Sequence, residues 1–202
     1  MKIDIKYNDG SKIFFTSDTH FCHENIIKFV GRPFENADEM NEALISRWNE
    51  KVPEDGLVFH LGDFAFASFK KWEEIRSRLN GEIVLIKGNH DIKQFQKEEQ
   101  YLKLFKYSAW QMYIEIEKRK IYLNHNPFLC YGGTYRDNAG LVYQLFGHVH
   151  SIKGKGGGKD GERLEMLFPT QYDVGVDNND FTPISWYEVD AIIQQQIQNA
   201  KK

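Results

Sequence analysis

Ile83-Val84-Leu85-Ile86-Lys87-Gly88-Asn89-His90-Asp91 passes from a short apolar run straight into a glycine, an amide, an imidazole and a carboxylate. Four consecutive apolar residues leave no solvent face, so the run predicts a strand buried on both sides, as in a parallel sheet. Its polar exit falls where open α/β sheets collect chemistry, at the carboxyl end of a strand.

The same pattern repeats outward from this stretch. Upstream, residues 13–17 predict a compact strand that stops at Asp18-Thr19-His20, and residues 57–61 a second that closes on Gly62-Asp63. Between them, residues 23–30 predict a short helix broken by Gly31 and Pro33. Residues 36–52 predict a longer helix. Asn36 is placed as its N-cap, Glu39 can reach back as in a capping box, and Met40, Leu44, Ile45, Trp48 and Val52 form one apolar stripe. Ser68 caps a third helix, in which Trp72, Ile75 and Leu79 recur at helical spacing.

Downstream, residues 92–106 predict a charged helix. A hairpin follows, from 110–117 through a turn at 117–119 to 121–123, and it leads into His125. Residues 142–146 predict a strand closing on Gly147-His148-Val149-His150, with further strands near 172–176 and 184–189 and a final polar helix. The alternation predicts an α/β domain over residues 1–202, with two mixed sheets packed face to face and helices outside.

Composition narrows the function. A net charge of −3 supplies no global basic field for long nucleic acid or an acidic membrane. Two cysteines, Cys22 and Cys130, are too few for a disulfide framework and point to a reduced, cytoplasmic protein. No stretch approaches the ~18 apolar residues of a membrane span. The lysine- and glycine-rich segment 151–161 departs from a P-loop, because Asp160 stands where Ser or Thr is needed. It reads as a hairpin tip, and alternatively as a segment that steers an anionic substrate.

The strand ends together supply Asp18, His20, Asp63, Asn89, His125, His148 and His150. Two carboxylates, one amide oxygen and four imidazoles form a mixed oxygen and nitrogen set suited to Mn, Fe, Zn or Ni. Seven ligands are too many for one ion with open positions. If one aspartate bridges, they make two sites at the ~3.5–4 Å separation of paired hydrolytic metals.

In order, Asp18-x-His20, Gly62-Asp63, Gly88-Asn89-His90-Asp91, His125 and Gly147-His148-x-His150 resemble the motif set of the calcineurin-like metallophosphoesterases. The resemblance runs from residue 13 to about residue 150. Arg32-Pro33-Phe34 and Gly175-Val176-Asp177 look like a subgroup of small bacterial and phage members. The resemblance implies a four-layer α/β/β/α sandwich. It assigns Asp18, His20 and His150 to a first metal, Asn89, His125 and His148 to a second, and Asp63 to the bridge. His90 is the implied general acid, oriented by Asp91.

The chemistry follows from charge. Two divalent ions, two aspartates and a shared hydroxide leave a residual positive charge that prefers a phosphate anion. The expected activity is hydrolysis of a phosphate mono- or diester, the diester preferred, with Mn2+ the first choice of metal. Expected partners are a small phosphoester, a nucleotide or a short oligonucleotide. The rivals are a nuclease or cyclic-nucleotide phosphodiesterase, and a catalytically silent scaffold of the same fold.

His23, Asn25, Arg32 and Arg136 are candidate substrate contacts. His60 reads as a satisfied core histidine behind the ligands. Asp177 and Asn178 read as a turn, with a substrate contact as the alternative. Phe64, Phe66 and Phe69 read as core aromatics, with a pocket mouth as the alternative.

Overall fold

Ten strands form two five-stranded mixed sheets in the computed structural model, which describes residues 4–91, 99–132, 142–151 and 166–200. The first sheet has the order β10-β2-β3-β4-β5. It contains β2 (Ile13–Thr16), β3 (Leu57–His60), β4 (Glu82–Ile86) and β5 (Tyr107–Ala109), all parallel, with β10 (Ile184–Ser185) antiparallel at its edge. The second has the order β1-β6-β7-β8-β9: β1 (Ile5–Tyr7), the hairpin β6 (Gln111–Ile116) and β7 (Arg119–Asn124), then β8 (Val142–Phe146) and β9 (Gln171–Asp173).

The apolar runs behave as their lack of a polar face requires. Phe15, Phe59, Leu61, Val84 and Ile86 face the second sheet, where they meet Ile114, Ile121, Leu123, Tyr143 and Leu145. Their neighbours Phe14, Val58, Ile83 and Leu85 point the other way, into a second core under the helices. That core is closed by α1 (Glu24–Val30), α2 (Ala37–Lys51) and α3 (Phe69–Arg78), with Trp48 and Trp72 its largest side chains. The C-terminal helix α4 (Trp186–Ala200) instead joins the inter-sheet core through Trp186, Val189, Ile193 and Ile197. No described helix is long and apolar enough to cross a membrane.

Several element ends differ from expectation for identifiable reasons. Asn36 caps α2 by accepting from Glu39 N at 2.9 Å, but the Glu39 carboxylate reaches Glu35 N rather than the cap's own N–H. The strand expected at 184–189 stops after Ser185, where the helix takes over. Ser185 and Glu188 form a reciprocal cap, with Ser185 N to Glu188 Oε2 at 2.9 Å and Glu188 N to Ser185 Oγ at 3.4 Å. The strand expected at 172–176 ends at Asp173, and a 3-10 turn follows at Val176–Asn178. The helix expected at 92–106 is a 3-10 helix over Glu99–Leu104; residues 92–98 lie outside the described residues. So do Arg136 and most of the segment 151–161.

Candidate metal centre

The parallel strands β2, β3 and β4 of one sheet and β7 and β8 of the other release their polar exits at one edge of the sandwich. Loop-to-loop backbone bonds knit the exits together: Asp18 N to Gly62 O at 2.9 Å, His20 N to Asp63 O at 3.0 Å, Gly147 N to His125 O at 2.9 Å. Asp18, His20, Asp63, His148 and His150 all have positive φ, between 47° and 71°. Each such non-glycine residue costs roughly 1 kcal/mol or more, a strain that clusters at functional sites.

Side-chain atoms converge in two groups, Asp18 with His20 and His150, and Asp18 with Asp63 and His125. Asp63 Oδ2 lies 3.5 Å from both His20 Nε2 and His125 Nε2, the position of a shared ligand. On the first side, Asp18 Oδ1 stands 4.0 Å from His20 Nε2 and 3.9 Å from His150 Nε2. On the second, Asn89 Oδ1 lies 3.0 Å from His125 Nε2 and 2.9 Å from His148 Nδ1. Asp18 and His20 are buried, whereas Asn89 and His148 are exposed, so the second group opens to solvent.

These residues fit a pair of cations. Asp18 Oδ1 and His20 Nε2 are buried without any hydrogen-bond partner, an expensive arrangement unless an ion completes it. Burial holds the His20 imidazole well below its usual range, which favours the neutral ring that a ligand must be. Burial acts against the charge on His125 as well. There Asp63 and Asp18 outweigh it and push the imidazole up to about 9. Asp63 lies below the usual carboxylate range: burial opposes its charge, and the His125 contact and the His90 N–H prevail.

The rear nitrogens of the imidazoles are fixed from behind, which sets which nitrogen faces the centre. His125 Nδ1–H donates to Leu61 O at 2.7 Å, and His150 Nδ1–H donates to Asp177 Oδ2 at 2.7 Å. His20 Nδ1 lies 3.1 Å from His23 Nδ1. The side chains behind the imidazoles thus include Asp177, expected as a turn or alternatively a substrate contact, and His23, expected as a substrate contact. The signal for Asp177 was present: it follows β9 at the same carboxyl edge as the other acids.

Arg32 differs from expectation more sharply. Its guanidinium is buried, bonded to Asp177 and to the carbonyls of Asp18 at 2.7 Å and Thr19 at 3.0 Å, so it braces the Asp18 loop instead of reaching substrate. Asn25 is exposed on the first turn of α1. His60 is the satisfied core histidine that was expected. Its Nδ1 accepts from Gly62 N at 3.2 Å, and its Nε2–H donates to Thr19 Oγ1 at 2.9 Å, since that hydroxyl donates to Phe64 O.

Asp91 does not touch the His90 ring. Asp91 Oδ2 accepts from Asp63 N at 2.7 Å and Gly88 N at 2.9 Å, and its Oδ1 accepts from Phe64 N at 3.0 Å. A carboxylate adjacent to a histidine in sequence faces the opposite way in space, and it holds the loop of Asp63. His90 is anchored by its own N–H to Asp63 Oδ1 at 2.9 Å, and its Nε2 lies 4.0 Å from Asp63 Oδ2. Gly88 is required by proximity, not by a positive φ: a Cβ there would stand 2.2 Å from Asp63 Oδ1.

Phe64 is fully buried and Phe69 packs against the helix-side core, while Phe66 is exposed beside His90. Cys22 and Cys130 are free.

Residues 12–159 match the model of the calcineurin-like phosphoesterase superfamily domain. An uncharacterized protein of Methanocaldococcus jannaschii, MJ1445, is 41% identical over 142 residues, covering 69% of this chain and 70% of its own. The crystal structure of AQ665 from Aquifex aeolicus, a protein of unknown function, superposes with a TM-score of 0.65 at 25% identity, covering 89% of this chain and 98% of that one. The chain belongs to the calcineurin-like phosphoesterase superfamily.

Proposed function

We propose that this chain hydrolyses phosphate esters, diesters in preference to monoesters, at a dinuclear centre. The convergence on Asp63 carries the reading: one carboxylate oxygen stands 3.5 Å from an imidazole nitrogen of each group, next to the unpartnered Asp18 Oδ1 and His20 Nε2. Asp18, His20, His150 and Asp63 would hold one ion, and Asp63, Asn89, His125 and His148 the other. The donor chemistry suits Mn2+, with Fe, Zn or Ni as alternatives. When bound, two such ions supply Lewis acidity toward phosphoryl oxygens and an activated water.

The chain's own residues do the rest. Two carboxylates against two divalent charges leave a positive floor for a phosphate anion. His90 stands at the rim with its ring 37% exposed, close enough to Asp63 to reach the same substrate and open enough to exchange protons with water. It donates the proton that the leaving alkoxide needs. Asp91 acts indirectly, by fixing the backbone of Asp63 and Gly88.

Hydrolysis of an aryl phosphodiester and an aryl phosphomonoester tests the reading in three states: with Mn2+ added, after chelation, and in His90→Ala. Activity that depends on the metal and falls in the variant is expected. Equal rates in all three states would overturn it.

A further inference from the structure

Two large aromatic side chains are left in solvent at the rim of the centre. Phe66 is 43% exposed and Phe29 is 74% exposed. Neither belongs to the buried cores, yet both are tied to the candidate site through one residue. His23 stacks on Phe66, with ring centroids 4.3 Å apart and planes within 14°, and meets Phe29 edge-on at 6.4 Å. His23 is itself held by the ligand-side imidazole of His20, nitrogen to nitrogen at 3.1 Å. His90 completes the arrangement, its ring 5.1 Å from Phe66 and edge-on to it.

The rings therefore form a row that starts at the metal-facing imidazole and ends at an exposed aromatic face, with the proposed proton donor alongside. An exposed phenyl ring parallel to a pinned imidazole is a half-finished stack, and a planar ring of any sequence or substituent can add to it. Its place next to His90 puts such a ring on the side of the leaving oxygen.

We propose that Phe66, backed by His23, is a stacking platform for a planar aromatic arm of the substrate, so that the preferred phosphoester carries a ring such as a nucleobase close to the scissile oxygen. This rests on the phosphoesterase reading for the phosphate and adds the group attached to it.

Calorimetric titration of the Mn2+-loaded protein with adenosine 5′-monophosphate and with ribose 5-phosphate isolates the ring. Phenyl phosphate and methyl phosphate, titrated in parallel, separate a general preference for rings from one for a nucleoside. Wild-type protein is expected to favour the ringed member of at least one pair by about tenfold. Phe66→Ala is expected to bring that ratio close to one and Phe66→Trp to preserve it, with thermal midpoints reporting that both variants fold. Equal binding within both pairs by the wild type, or a ratio untouched by Phe66→Ala, overturns the proposal.

The two readings fail separately. A protein that discriminates the ring but hydrolyses no phosphoester keeps the platform and loses the activity. One that cleaves a methyl diester without discriminating keeps the activity and loses the platform.

Discussion

His150 Nδ1–H donates to Asp177 Oδ2 at 2.7 Å, and Arg32 grips the same carboxylate from behind, Nε to Oδ1 at 2.8 Å and Nη2 to Oδ2 at 2.9 Å. Burial acts against the Asp177 charge, but His150 and Arg32 outweigh it and hold the carboxyl down at about 2. Because Arg32 also binds the carbonyls of Asp18 and Thr19, one ion pair ties the 3-10 turn after β9 to the loop after β2.

Asp177→Asn keeps the size and removes the charge. The buried guanidinium of Arg32 then lacks its counter-ion, at a cost on the order of 3 kcal/mol. The metal-facing nitrogen of His150 also loses its support, and Mn2+ affinity is expected to drop by about 10- to 100-fold. A urea titration of the chelated protein and a Mn2+ titration read the two effects apart. Adding Arg32→Met removes the unpaired charge but leaves the carbonyls of Asp18 and Thr19 without their donor, so it is expected to recover stability only in part and affinity not at all. Wild-type Mn2+ affinity in Asp177→Asn would remove this residue from the centre.

Two glycines separate proximity from backbone conformation. Gly88→Ala places a methyl 2.2 Å from Asp63 Oδ1 and 2.5 Å from Asp63 N, where nothing flexible can yield. Gly31 has φ +69° with nothing within 4 Å of its missing Cβ. Gly31→Ala is expected to cost roughly 1 kcal/mol of stability and leave metal binding intact. Gly88→Ala is expected to lose metal binding, because Asp63 must move. Calorimetric Mn2+ titrations of the two variants decide the matter; similar affinities in both would contradict it.

His60 makes stability depend on pH. Burial lowers its imidazole from 6.5 to about 3; protonating Nδ1 also breaks the bond from Gly62 N–H. Below pH 6.5 the unfolded chain takes up a proton that the folded chain refuses, so stability is lost as pH falls from 6.5 toward 3. The slope from this residue is at most about 1.4 kcal/mol per pH unit. His60→Gln can accept from Gly62 N–H and donate to Thr19 without titrating. Urea midpoints of the chelated proteins between pH 6.5 and 4 should converge as acid is added, and parallel curves would show that His60 contributes nothing.

The parts of the fold that were legible in the sequence are those in which burial leaves a one-dimensional trace. Residues 83–86 are apolar on consecutive positions, and 57–61 are apolar except at His60, because both faces of β3 and β4 are covered, and the polar exit after each strand then falls at a single edge. β1 and β5 left no such trace. Each is three residues long and half-exposed, and β1 pairs with a strand more than a hundred residues away. In the site, the candidate ligands were legible because each sits at the end of a strand. Their supports were not: Asp91 is next to His90 in the chain and serves Asp63, while Asp177 is 27 residues from His150 and serves it. Which carboxylate meets which imidazole is set by loop conformation at positive φ, and adjacency in sequence does not encode it.

The loop that carries His125 is held by a pair of buried glutamines on β8 and β9. Gln144 Oε1 accepts from Phe128 N at 3.0 Å and from Gln171 Nε2 at 2.5 Å, while Gln144 Nε2 donates to Asn126 O at 2.9 Å. Gln171 Nε2 also donates to Phe128 O at 2.9 Å, so three residues beyond His125 are clamped at two points. Gln144→Leu preserves the volume and leaves the Phe128 N–H and the Asn126 carbonyl without partners, at roughly 2–4 kcal/mol. The loop of His150 meets this one only through the bond from Gly147 N–H to the His125 carbonyl, and Asp18 and His20 are held from other loops, so the first ion is expected to bind nearly as before. The second depends on His125 and is expected to bind several-fold more weakly. Equilibrium dialysis against rising Mn2+ should show one equivalent retained at wild-type affinity and one shifted to higher concentration. A uniform weakening of both equivalents would mean that the clamp acts on the fold as a whole, whereas a selective shift assigns it to the second half of the centre.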